Sequence, residues 1–131
     1  MATRVYRSVK LVVQNDTKHP HSIQGTATLK GTWSPRFEPR QGQTLASNAS
    51  AEWQSESTIL GTGTTAYVRL GSARGHTNVS WSLPWTGSFA TEVTTSPELE
   101  AETSILDDEP DAIVIKVSVR EKDAAKEVKA R

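Results

Sequence analysis

Cysteine is absent from the 131 residues, so neither disulfides nor a cysteine-ligated zinc or iron–sulfur centre can support the fold. Net charge is absent too, with 15 Lys and Arg set against 15 Asp and Glu. A chain without a basic surplus lacks the electrostatic footprint of a nucleic-acid binder. Long apolar runs are missing, and the opening MATRVYRSVKLVVQND has no apolar h-region. Neither a signal peptide nor a membrane-spanning helix is expected. Hydrophobic residues make up only 35% of the chain, while Ser and Thr abound. That balance suits a β-sandwich with solvated outer faces better than a helical bundle.

Catalytic patterns are equally scarce. His19 and His21 flank Pro20, and His76 follows a hairpin glycine. No H-E-x-x-H helix and no G-x-S-x-G elbow occurs. Gly61-Thr62-Gly63 lacks the Lys-Ser/Thr and the helix of a phosphate loop, and reads as a turn. Asp107 to Asp111 lacks the spacing of an EF-hand. The expectation is a protein that is not an enzyme, with no metal and no cofactor.

What is present is alternation with period two. Val5, Val9, Leu11 and Val13 share a face, interrupted by Arg7. Ile23, Ala27 and Leu29 read as the inner face of a second strand. Ala51 with Trp53, then Ala66, Val68 and Leu70, then Val79, Trp81 and Leu83 read likewise. Leu99, Ala101, Thr103 and Ile105 alternate with acids, and Ile113, Ile115, Val117 and Val119 close the series. The pattern predicts an all-β, two-sheet antiparallel sandwich of about eight or nine strands over residues 1–120. The charged tail 121–131 is too short to hold a helix alone and is expected to be frayed or disordered.

Charge is neutral in sum but uneven in place. Between Glu98 and Asp111 stand seven acids and no Lys or Arg, whereas charges in the first forty residues are mostly basic. Solvated strand faces account for this, as does a dipolar molecule that orients at an anionic surface or pairs head to tail with an acidic partner patch.

The tryptophans divide by phase. Trp53 and Trp81 fall on inward faces. Trp33 ends a strand, Trp85 follows Pro84 into a Gly-Ser turn, and Phe37 lies in the loop Ser34–Gly42 between Arg36 and Arg40. Indole favours the membrane interface because its body is apolar and its N–H stays wet. Trp33, Phe37, Pro84 and Trp85, with Arg36 and Arg40, therefore form the candidate lipid-facing rim. Plugging of the open sandwich end by Trp33 and Trp85 is the structural alternative.

The stretches RSVKLVVQNDTKH, LKGTW, ILGTGTTAYVRL and SWSLPWTGSF, in that order, resemble the aegerolysins. They also resemble the aegerolysin-like small component of bacterial binary insecticidal proteins. The likeness covers roughly Arg4 to Phe89. It implies a non-enzymatic, membrane-lipid-binding, cytolysin-type protein, one component of a two-component pore-forming or insecticidal system. Pro84 and Trp85 match the family's Pro-aromatic pair, and Trp33 matches the aromatic that ends its second strand. Implied partners are membrane lipids, sphingolipids among them, a larger pore-forming protein, and a second copy of the chain. The chain would stay cytoplasmic until released by a non-classical route to act at target membranes. Leu83 stands where many fungal members carry a cysteine. The same surface tryptophans suit a carbohydrate-binding module, and the acidic face suits a protein-interaction domain.

Overall fold

The computed structural model describes residues 4–122, folded into ten strands. They are β1 (Arg7–Asn15), β2 (His21–Lys30), β3 (Thr32–Trp33), β4 (Thr44–Leu45), β5 (Ser50–Ser57), β6 (Thr64–Ser72), β7 (Gly75–Leu83), β8 (Ala90–Thr95), β9 (Leu99–Glu109) and β10 (Ala112–Glu121). One sheet runs β3-β5-β1-β10-β9 and the other β4-β2-β6-β7-β8. The expected two-layer sandwich is therefore present. Its count exceeds eight or nine because the two-residue strands β3 and β4 are too short for alternation to reveal. Of the tail expected over 121–131, Glu121 closes β10 and Lys122 follows it, while 123–131 lie outside the described residues.

Pairing is antiparallel with one exception. The first and last strands, β1 and β10, run parallel at the centre of the first sheet, from Ser8 opposite Ala112 to Asn15 opposite Val119. β1 is rich in Val and Leu, β10 in Val and Ile, and both bury every second residue, so each supplies one apolar face to the interior. Val9, Leu11, Val13, Trp53, Ile113, Ile115, Val117 and Val119 meet Ile23, Ala66, Val68, Leu70, Val79, Trp81 and Leu83 there. Trp53 and Trp81 are each 2% exposed, as their phase requires.

A polar node joins the two sheets within this core. Ser55 Oγ on β5 accepts Trp81 Nε1–H at 2.9 Å and the Thr64 hydroxyl at 2.8 Å. Two strands of the second sheet thus share one buried oxygen of the first.

Bulges change which side chains face inward. In β2, Gln24 and Leu29 are extra residues with no partner on β6. Each shifts the alternation by one, so Thr26 and Thr28 sit opposite inward Val68 and Ala66. Ala27 pairs with outward Tyr67, and Leu29 is thrown out to solvent. In β9, Leu106 is the extra residue, and both Ile105 and Leu106 are exposed.

The end of the sandwich that carries the turn after β1 is polar. Asn15 Nδ2 donates to the carbonyls of His19, Leu45 and Ala46. Glu121 Oε1 accepts the Lys18 N–H at 2.7 Å and lies 3.3 Å from His19 Nδ1, while Oε2 meets Arg74 at 3.4 Å. His21 is sealed beneath. Thr17 spends its hydroxyl proton on Asn15 Oδ1 or the His19 carbonyl, so His21 Nε2 carries the hydrogen that reaches Thr17 Oγ1 at 3.2 Å. Among the described residues the bare Nδ1 has no partner.

Two outcomes follow from this packing. Ser55→Ala leaves the buried Trp81 N–H without its acceptor, and a loss of about 1–3 kcal/mol is expected in denaturant titration. Burial pushes the His21 pKa below its ordinary 6.5, against the opposing pull of Glu121 and with a smaller push from His19. The unfolded chain takes up this proton first, so the contribution is intact above pH 6.5 and is lost as pH falls below it. Urea midpoints at pH 7.5 and 5 should show that decline, and His21→Gln should flatten it.

Candidate functional site: an apolar tip

The opposite end gathers the start of β1, the ends of β2, β5 and β7, the start of β6 and the β9–β10 turn. It also gathers exposed apolar side chains. Val5, Leu29, Ile59 and Leu60 belong to it, the last three being 65–70% exposed. Ile105 and Leu106 stand further along, on the free edge of β9.

Ile59 and Leu60 owe their exposure to turn geometry. Thr62 N–H bonds the Ile59 carbonyl at 3.1 Å, closing a turn with Leu60 and Gly61 at its corner. Gly61 sits at φ 87°, the left-handed value required at the third position of a type II turn. Ser57 Oγ braces the entry by accepting Ile59 N–H at 3.4 Å. The turn therefore holds two branched apolar side chains on a fixed corner.

Gly63 has a different task. A Cβ there would stand 2.3 Å from the Leu83 carbonyl oxygen and 2.6 Å from Pro84 Cα. Only a hydrogen fits, which is how the Gly-Thr-Gly segment presses against Leu83-Pro84-Trp85. Between them lies an open hollow of about 470 Å³ lined by Lys30, Thr62, Thr65, Ser82, Pro84, Trp85 and Thr86, among others. Thr65 Oγ1 and Ser82 Oγ, 2.9 Å apart, share a hydrogen bond in its lining.

Arg7 fixes Trp85. Its guanidinium lies 4.2 Å from the indole centroid, donates to the Trp85 carbonyl at 3.1 Å and to the Tyr6 carbonyl at 2.9 Å, and pairs with Asp111 at 3.1 Å. Tyr6 meets Trp85 edge-on at 6.0 Å, and Arg4 lies 5.0 Å from the Tyr6 ring. An Arg within about 6 Å of an indole face is a favourable cation–π arrangement.

The six residues named from sequence fall into three places. Pro84 and Trp85, both half-buried, line the tip hollow. Trp33 is half-buried lower down, packed edge-on at 6.0 Å against Trp81 and paired with Ser55. Arg36 and Arg40 are exposed and line a separate hollow with Glu38 and Gln43, while Phe37 is half-buried with Lys10 Nζ 4.8 Å from its ring. The structure brings Pro84 and Trp85 together with Tyr6, Arg7, Lys30, Ile59 and Leu60. Those partners carried signals in the sequence: a charge interrupting an apolar face at Arg7, and an Ile-Leu pair set directly before a glycine turn.

Among the described residues, no three His, Asp or Glu side chains converge as metal ligands. No helix of the described residues is long and apolar enough to cross a membrane.

The architecture has a solved counterpart. The crystal structure of the lipid binding protein Nakanori superposes with a TM-score of 0.72, over 91% of this chain and 73% of that one, at 12% identity. The fold is shared. No family model matches the sequence, and no curated protein matches it.

Gly63→Ala is expected to displace Pro84 and Trp85 and to cost about 1–3 kcal/mol in thermal or denaturant unfolding, as overpacking against backbone does. Arg7→Ala should expose one face of Trp85, seen as a red shift of tryptophan emission in the folded protein.

Proposed function

We propose that the chain is a non-enzymatic membrane-lipid-binding protein that adsorbs to bilayers through its apolar tip. The observation that carries this reading is the exposed Ile59-Leu60 corner, whose next residues Gly61 and Thr62 line one hollow with Trp85 and Lys30. A soluble domain gains nothing by holding two large apolar side chains on a rigid turn in water. Inserted below the headgroups, each contributes about 1.5–3 kcal/mol. Trp85, with its apolar body and Arg7-covered face, suits the boundary layer, and Lys30 suits contact with phosphate. The shared fold with a lipid binding protein supports the same reading.

The aegerolysin-like sequence motifs extend it. Adsorption by so few side chains is weak, so several copies or a larger pore-forming partner would set the effective affinity on a target membrane. In that arrangement this chain is the lipid-recognising component of a two-component cytolytic or insecticidal system. The rim would include Trp85 and Pro84 directly, with Trp33 buttressing Trp81 beneath, while Phe37, Arg36 and Arg40 lie apart along the side of the sandwich.

A second reading has its own support. The hollow beside Trp85 is lined by the hydroxyl-bearing Thr62, Thr65, Ser82 and Thr86, a lining that suits a sugar ring. A glycan array run beside a lipid array separates the two.

Vesicle co-sedimentation, with and without sphingolipid, tests the main reading. Leu60→Asp and Trp85→Ala are each expected to weaken binding by about tenfold or more, since that many fold correspond to about 1.4 kcal/mol. The Leu60 variant should keep the parental melting temperature. Unchanged binding by both would exclude the tip.

A further inference from the structure

The outer face of the second sheet sets its side chains in rows across four strands. Lys30, Thr65, Ser82 and Ala90 form one row, and Ala27, Tyr67, Ser80 and Glu92 form the next. Gly25, Arg69, Asn78 and Thr94 form the row beyond. Tyr67 does not stand up from this face as a strand side chain ordinarily does. A Cβ at Gly25, on the diagonal from it, would lie 3.9 Å from both its Cε2 and its Oη. An upright ring would lift its hydroxyl far above that point. The ring therefore reclines across β2, where Ala27 and Gly25 leave it room. One ring face rests on the strand, and half-burial of the residue leaves the other to water.

Unpaired polar groups surround that ring. Thr26 and Thr91 give their hydroxyls to the Tyr67 and Ser80 carbonyls. Among the described residues, the Tyr67 hydroxyl, the Asn78 amide, the Ser80 hydroxyl and the Glu92 carboxylate have no hydrogen-bond partner. Arg69 and Glu92 carry opposite charges on the same face, so it does not select an anion. A pyranose ring matches the arrangement. One of its faces is made of C–H groups, whose slightly positive hydrogens settle on the negative face of an aromatic ring. Its hydroxyls need donors and acceptors around that contact.

The ring also stands in the right place. Tyr67 lies three residues into β6 from Thr64, about 10 Å from the tip along the strand. The row between them includes Lys30, Thr65 and Ser82, which also line the tip hollow. A headgroup rising from a bilayer touched by the tip would run up this face. We propose that the face around Tyr67 is a sugar-binding platform, and that tip and platform together recognise a neutral glycosylated lipid. The membrane half of the proposal rests on the lipid-binding reading above. The apolar corner supplies attraction to any bilayer, and the reclining ring adds affinity where a sugar stands on it.

The test compares phosphatidylcholine vesicles carrying plain ceramide with vesicles carrying mono-, di- or tetrasaccharide ceramides. The parental chain should bind at least one of the sugar-bearing vesicles about fivefold or more tightly than the plain ones, the worth of a single good hydrogen bond. Tyr67→Ala should abolish that gain while binding plain vesicles as the parent does. Glu92→Ala, at an exposed position on the edge strand β8, should reduce the gain without moving the melting temperature. Leu60→Asp should weaken binding to both kinds of vesicle and leave their ratio unchanged. A parent that shows no gain, or a gain that survives in both the Tyr67 and the Glu92 variants, overturns the platform alone. Absence of binding to every vesicle by the parent overturns the lipid reading and the glycolipid with it.

Discussion

The guanidinium of Arg7 touches three separate stretches of the chain. It covers the Trp85 ring, bonds the Trp85 and Tyr6 carbonyls and pairs with Asp111, so the first strand, the Leu-Pro-Trp turn and the β9–β10 turn share one cation. Its side chain is largely withdrawn from solvent, and its positive charge is held there by the Asp111 carboxylate, by the Tyr6 and Trp85 carbonyls and by the indole face. The position of the indole follows from this contact and from the missing side chain of Gly63, which lets Pro84 approach. One residue holds the ring from above and the other allows the backbone beneath it.

The two ends of the sandwich are built from opposite materials. At one, Asn15, Thr17, His19 and Glu121 satisfy one another through side-chain hydrogen bonds that tie down loops. At the other, the turn after β5 presents Ile59 and Leu60, and the second bulge of β2 presents Leu29. Between them the Ser55 node ties β5 of one sheet to β6 and β7 of the other. The membrane adsorption proposed above would use this division, with the apolar end giving the molecule its direction.

Much of the fold could be read from alternation alone. The inward sets of β1, β6, β7 and β10, and the burial of Trp53 and Trp81, follow from period two and need nothing further. The second strand misled because two bulges reset its phase, turning Leu29 from a presumed core residue into an exposed one. Periodicity cannot show an extra residue whose cause lies in the partner strand. Parallel pairing of β1 with β10 was likewise illegible, since a strand's pattern does not name its neighbour. Pro84 and Trp85, named through their motif and their place after an inward strand, line the tip hollow. Arg36, Phe37 and Arg40 were placed by nearness in sequence, which the loop then carried along the side of the sandwich. Tyr6 and Arg7 came from a segment far away in sequence, joined only by the fold.

The parallel pair at the heart of the first sheet also bears on how the chain is made. β1 is synthesised before the other described strands, yet one of its two hydrogen-bonded edges stays empty until residues 112–121 emerge. Meanwhile its apolar face has only β5 beside it in the sheet. Contacts of such long sequence separation close slowly. Synthesis thus passes through an interval in which a Val-rich strand lies half-sheltered, the kind of transiently exposed edge that is prone to aggregation before its partner arrives.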